Sequence, residues 1–135
     1  MANNKIKQKK GTVKLCNNCF SPKYIKFNLS YFKPDNDFKG HEAQLLKRMI
    51  SISSEDYVLL MNKPKEVSFE FEKVDIGKQI PEGFKNRFKD KDYSKFAIMR
   101  LYPNNNPVMG RVVGVIINKV FYIFYVFIGE KGYKR

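Results

Sequence analysis

The chain has no Trp, one His and two Cys, and its 13 acids are outnumbered by 26 Lys and Arg. Each shortage excludes something. A structural zinc site usually takes four Cys or His ligands. Cys16 and Cys19, with His41 the only other candidate, fall short of that number within one chain. The Cys-Asn-Asn-Cys spacing lies outside the strand–helix setting of a thioredoxin-like redox motif, so free reduced thiols are expected, with a zinc shared across a dimer as the alternative. With no His pair and no cluster of carboxylates, a metal-dependent nuclease would have few ligands. No Gly-rich loop opens a helix, which argues against a P-loop or dinucleotide fold. No cofactor or metal is expected.

Long hydrophobic runs are missing too. None reaches the roughly 18–20 residues that span a bilayer. The N-terminal lysines are not followed by an apolar stretch, as a secretory signal would require. The expectation is a cytoplasmic protein without a membrane partner. There are no internal repeats.

What is present is positive charge and aromatic bulk. The formal net charge is +13, and the 135 residues include 12 Phe and 8 Tyr. A two-to-one excess of bases implies an anionic partner: RNA, DNA, a membrane surface or an acidic protein. Residues 1–20 contain Lys5, Lys7, Lys9, Lys10 and Lys14 with no acid. They read as a flexible basic arm ahead of a single α+β domain at 21–135.

Tyr24 to Lys33 alternates, with Ile25, Phe27, Leu29 and Tyr31 on one face, and predicts a half-buried strand ended by Pro34-Asp35-Asn36. From Lys39 to Ile52 the period becomes helical. Ala43, Leu46, Met49 and Ile50 form the expected apolar face, with Glu42, Lys47 and Arg48 outside. Ser53, three residues before Asp56, reads as the N-cap of a second short helix that buries Tyr57, Leu60 and Met61. The two helices form an αα-hairpin.

Glu66 to Val74 predicts a strand with Val67, Phe69 and Phe71 inward. Residues 75–94 read as a long loop. In it, Phe84 and Phe88 are spaced to anchor one helical turn. Lys85, Arg87, Lys89, Lys91 and Lys95 cluster there as candidate nucleic-acid contacts, together with Lys9 and Lys10 of the arm.

A β-meander closes the chain: Phe96–Tyr102, Met109–Ile117 and Val120–Ile128. Asn118-Lys119 has the length of a two-residue hairpin loop. Gly110 and Gly114 allow a bulge or a close backbone approach. The last strand has almost no polar residue, so both its faces should be covered. The expected fold is α+β: an N-terminal strand and an αα-hairpin packed on a mainly antiparallel, four- to five-stranded twisted sheet ending in the meander.

Within the meander, Arg100 and Arg111 interrupt apolar runs. A guanidinium embedded in a strand must reach water, a carboxylate or a phosphate. If the two share a sheet face they form an anion site. Otherwise each extends to water or pairs with Glu70 or Glu72. Tyr133 stands beside Lys134 and Arg135, where a tyrosine can stack on a base or assist proton transfer. His41, in a polar setting before a helix, reads as an ordinary surface histidine.

The element order, the basic surface and the stretch from Gly110 to Arg135, GRVVGVIINKVFYIFYVFIGEKGYKR, resemble the RelE/ParE/HigB superfamily of type II toxins. The likeness covers residues 24–135 in topology and Arg111 to Tyr133 in motif. It implies a metal-independent messenger-RNA endoribonuclease, often acting at the ribosome, in which the 2′-hydroxyl attacks the adjacent phosphate. By position, Arg111 would bind the phosphate, Tyr133 would transfer protons or stack, and Arg100 and Lys134 would be auxiliary cations. It also implies an acidic antitoxin partner. The chain departs from the pattern in its strand at Glu66–Val74, its long basic loop, its longer arm and the absence of a catalytic His found in some members. A looser likeness is to small proteins of mobile elements. Two further readings stand beside it: a non-catalytic RNA- or ribosome-binding protein, and a basic accessory or inhibitor protein docking an acidic partner in phage defence or counter-defence.

Overall fold

The computed structural model describes residues 23–73, 80–89 and 92–129. The basic arm, Lys9, Lys10, Cys16, Cys19, Lys91, Tyr133, Lys134 and Arg135 all lie outside these residues. The elements are β1 (Lys26–Asn28), a 3₁₀ turn (Asn36–Phe38), α1 (Glu42–Ser53), α2 (Tyr57–Met61), β2 (Phe69–Lys73), α3 (Glu82–Arg87), β3 (Lys95–Arg100), β4 (Gly110–Ile117) and β5 (Val120–Ile128). The five strands form one mixed sheet in the order β1-β5-β4-β3-β2. β1 runs parallel to β5, and the other neighbours are antiparallel. The α+β architecture with its closing meander is as expected.

The apolar β5 is an interior strand covered on both faces. On one side Ile25, just before β1, and Phe38, Leu45, Ile52 and Leu60 from the helical segments pack on Phe69, Met99, Val112, Phe121 and Ile123. On the other, Phe84 of α3 packs on Val115, Tyr122 and Phe124. The β4–β5 turn places Asn118 and Lys119 at φ 52° and 64°, the left-handed pair a two-residue hairpin requires. Phe84 is fully buried and does anchor a helical turn.

Four local expectations are corrected. β1 is three residues, not ten. The Asn28 side chain accepts the Ser30 amide at 2.8 Å, turning the chain, so Leu29 is exposed and Tyr31 packs on the α3 side. α1 is rotated from its apolar pattern. Leu45, Arg48 and Ile52 are buried, while Leu46 and Ile50 are 57% and 58% exposed. The cap of α2 is Asp56, whose carboxylate accepts from the Val58 and Leu59 amides. Ser53 is the last residue of α1 and bonds back to the Ile50 carbonyl. In β2, Phe69 is buried, but Phe71 and Val67 are exposed.

The rotation of α1 has a cause. His41, Gln44 and Arg48 lie on one helical face and meet the end of β3 residue by residue. His41 Nδ1 and the Tyr102 hydroxyl share a 2.8 Å hydrogen bond, Gln44 Nε2 donates to the Leu101 carbonyl at 2.9 Å, and Arg48 Nε donates to the Arg100 carbonyl at 2.8 Å. Backbone carbonyls at a strand end need donors when buried. These side chains provide them where a wholly apolar face would not.

Candidate nucleic-acid interface

Arg100 and Arg111 sit directly opposite each other on β3 and β4. Opposed residues of an antiparallel pair project to the same side. The two arginines therefore share a sheet face. It is the face of Val115 and α3, since positions two and four residues along a strand point the same way. Like charges so placed are destabilising unless offset. Here the offset comes from the β3–β4 loop. Arg100 Nη1 donates to the Pro103 carbonyl at 2.8 Å, and its Nη2 lies 3.9 Å from Glu66. Arg111 Nη1 donates to Asn105 Oδ1 at 2.9 Å and to the Gly110 carbonyl at 3.0 Å.

A carboxylate near Arg100 is thus Glu66. The acceptor facing Arg111 is an amide on a loop whose Asn105 holds φ at 59°. Arg111 is only 6% exposed, whereas the Arg100 side chain is 17% exposed. A guanidinium carries five N–H donors, so Arg100 keeps capacity for an anion beyond its two contacts among the described residues. An anion at Arg111 would have to compete with Asn105.

The second cationic group is built on α3. Lys85, Arg87 and Lys89 are exposed. The Arg87 guanidinium carbon lies 5.0 Å from the Phe88 ring centroid and 5.9 Å from that of Tyr122, and Nη1 donates to the Tyr31 hydroxyl at 3.4 Å. That bond to Tyr31, with the tyrosine's own field, pushes the Arg87 pKa further up. Tyr31, Phe84, Phe88, Tyr93 and Tyr122 make a continuous aromatic cluster beneath the cations. Lys95 does not join this group. It opens β3 opposite Lys73, on the alternation of Ala97 and Met99. Val115, under α3, is four residues along β4 from Arg111, or roughly 13 Å at strand rise.

Arg48 was not foreseen as a site residue. Its guanidinium is buried, Nη2 has no hydrogen-bond partner among the described residues, and burial pulls its pKa below the ordinary value. His41, read as a surface residue, is part-buried against Tyr102. The signal for both was their spacing with Gln44, an i, i+3, i+7 file of side chains rich in N–H donors. Among the described residues no three His, Cys, Asp or Glu side chains gather as a metal site, and no helix is long and apolar enough to cross a membrane.

Comparison with known protein families, curated proteins and solved structures returns no match.

Proposed function

We propose that this protein binds RNA, free or in the ribosome, through the α3 face of its sheet. The observation that carries the reading is Arg87, an exposed guanidinium held over aromatic rings between Lys85 and Lys89, on the same face as Arg100. Lysines supply long-range attraction to phosphates. A guanidinium fixed on aromatic faces offers a flat cation at low entropic cost. The net charge of +13 adds a strong non-specific term. The test is RNA binding by the full chain against salt, for the parent and for Lys85→Ala, Arg87→Ala, Lys89→Ala combined. Each lost phosphate contact should lower the slope of log K on log salt by about 0.7 for a single strand. Unchanged affinity and slope in the triple variant would refute the reading.

The Arg100–Arg111 register favours a second reading, the metal-independent endoribonuclease of the RelE/ParE/HigB kind. In it Arg111 holds the scissile phosphate, Tyr133 moves the proton, Arg100 and Lys134 assist, and an acidic antitoxin is the partner. Induced expression should then arrest growth, and Arg111→Ala or Tyr133→Phe should abolish cleavage while leaving part of the binding. A parent protein that neither arrests growth nor cleaves RNA excludes it.

A further inference from the structure

Strict alternation along β5 would put Tyr125 and Phe127 on the face of Phe121 and Ile123. The β4–β5 register prevents this. Val113 pairs with Tyr125 while Gly114 pairs with Ile123, leaving Phe124 as an extra residue on β5. Beyond it the alternation inverts. Val126 and Ile128 pack with Phe121 and Ile123 on the helical-hairpin side, and Tyr125 packs with Tyr122 and Phe124 on the α3 side. Phe127 stands opposite Arg111, so Phe127, Arg111 and Arg100 form one row across three strands of the same face. A bulge of this kind re-aims side chains. Here it aims two aromatics at the arginine row.

Tyr125 and Phe127 are both partly exposed, and their ring centroids are 5.9 Å apart with planes 33° from parallel. Phe124 contacts Tyr125 at 6.3 Å and Phe84 of α3 at 4.9 Å, so the aromatic file is continuous from the Arg87 platform to the Arg100 row. Burial pushes the Tyr125 hydroxyl above its ordinary value.

Resting on the RNA-binding reading, we infer that Tyr125 and Phe127 stack unpaired bases of a single strand whose backbone passes between Arg87 and Arg100. Stacking is open to every base because each has a π-face, and cations flanking an aromatic file are the general design of single-strand sites. A duplex keeps its bases stacked on one another and offers this file nothing. The occupant is therefore single-stranded RNA rather than a helix of either nucleic acid.

The absence of Trp makes the test direct. Tyr125→Trp gives the full chain a single indole reporter. The variant is titrated with a single-stranded RNA, the duplex of the same sequence and an abasic single strand. Quenching by the single strand alone is expected. Tyr125→Leu and Phe127→Leu should each weaken single-strand binding about 5-fold or more and leave duplex binding unchanged. If the Trp variant does not fold, Phe127→Leu measured by gel retardation decides. Equal quenching by all three ligands, or parent affinity in both leucine variants, overturns the stacking site and leaves cationic binding at α3 standing. Failure of the parent protein to bind any of the three removes the RNA-binding reading itself.

Discussion

Replacing Gly114 by Ala adds one carbon at the bulge. Built on the native backbone, that Cβ falls inside the van der Waals envelope of the Tyr122 carbonyl oxygen, 2.8 Å from the carbonyl carbon and 2.9 Å from Cε1 of Phe121. The first two obstacles are backbone, so no rotamer change relieves them. β4 and β5 must separate locally. Losing one or two ladder hydrogen bonds costs about 1 kcal/mol each, and overpacking a close-packed interior adds about 1–3 kcal/mol. The sum is about 2–5 kcal/mol, or roughly 7–18 °C in Tm for a chain of this size.

Two other glycines calibrate the claim. A Cβ on Gly110 meets Leu101 Cβ at 2.9 Å and Cδ2 at 3.1 Å, a side chain that can shift, so Gly110→Ala should cost about 1–2 kcal/mol. A Cβ on Gly83 meets only the Tyr31 ring at 3.4 Å, and its place in α3 rewards alanine by up to about 1 kcal/mol. Urea denaturation followed by circular dichroism should rank Gly114→Ala far below Gly110→Ala, with Gly83→Ala at or above the parent. A Gly114→Ala midpoint within about 1 kcal/mol of the parent, or above that of Gly110→Ala, refutes the close approach and with it the placement of Tyr125 and Phe127.

Two further outcomes are expected. Arg48→Met keeps the apolar stem but takes the Nε donor away from the Arg100 carbonyl, so denaturation should show a loss of about 1–3 kcal/mol; an unchanged midpoint would show that desolvating the guanidinium costs as much as its hydrogen bond contributes. Burial raises the Tyr57 and Tyr125 hydroxyls above their ordinary 10.0. As pH climbs past about 10 the unfolded chain therefore releases protons that the folded chain keeps, and stability falls through the folded values. Tyr57→Phe with Tyr125→Phe should flatten the drop in denaturation midpoint between about pH 9 and pH 11, and a double variant losing as much as the parent would show that other groups drive it.

What the sequence made legible was local. β5 keeps its expected limits, Val120–Ile128, because an unbroken β-branched and aromatic run between two turn signals has one reading. The Asn118-Lys119 turn and the Phe84 anchor follow from signals a few residues long. The misplaced face of α1 was not local. Arg48 is buried and Gln44 half-buried because they bond carbonyls of residues 100 and 101; the His41-Gln44-Arg48 spacing marks a donor-rich file but does not report its partner across the sheet. Arg100 and Arg111 were identifiable by type, since a charged group inside an apolar strand requires an acceptor. Their shared face became decidable only from the β3–β4 register. That their acceptors include Pro103 and Asn105 depends on how the intervening loop folds back.

The parallel pairing of β1 with β5 sets an order of assembly. The meander and its β2 partner close by hairpins and one moderate loop. β1 has only three residues, and its ladder joins Lys26–Asn28 to Val120–Tyr122, almost the full described length away. Such a contact gains little until the sheet it joins exists, because loop closure is paid in entropy beforehand. On that ground β1 is expected to be the last strand to add and, with three residues in its ladder, the first to detach. When it leaves, it uncovers one edge of β5, the strand that carries the aromatic file.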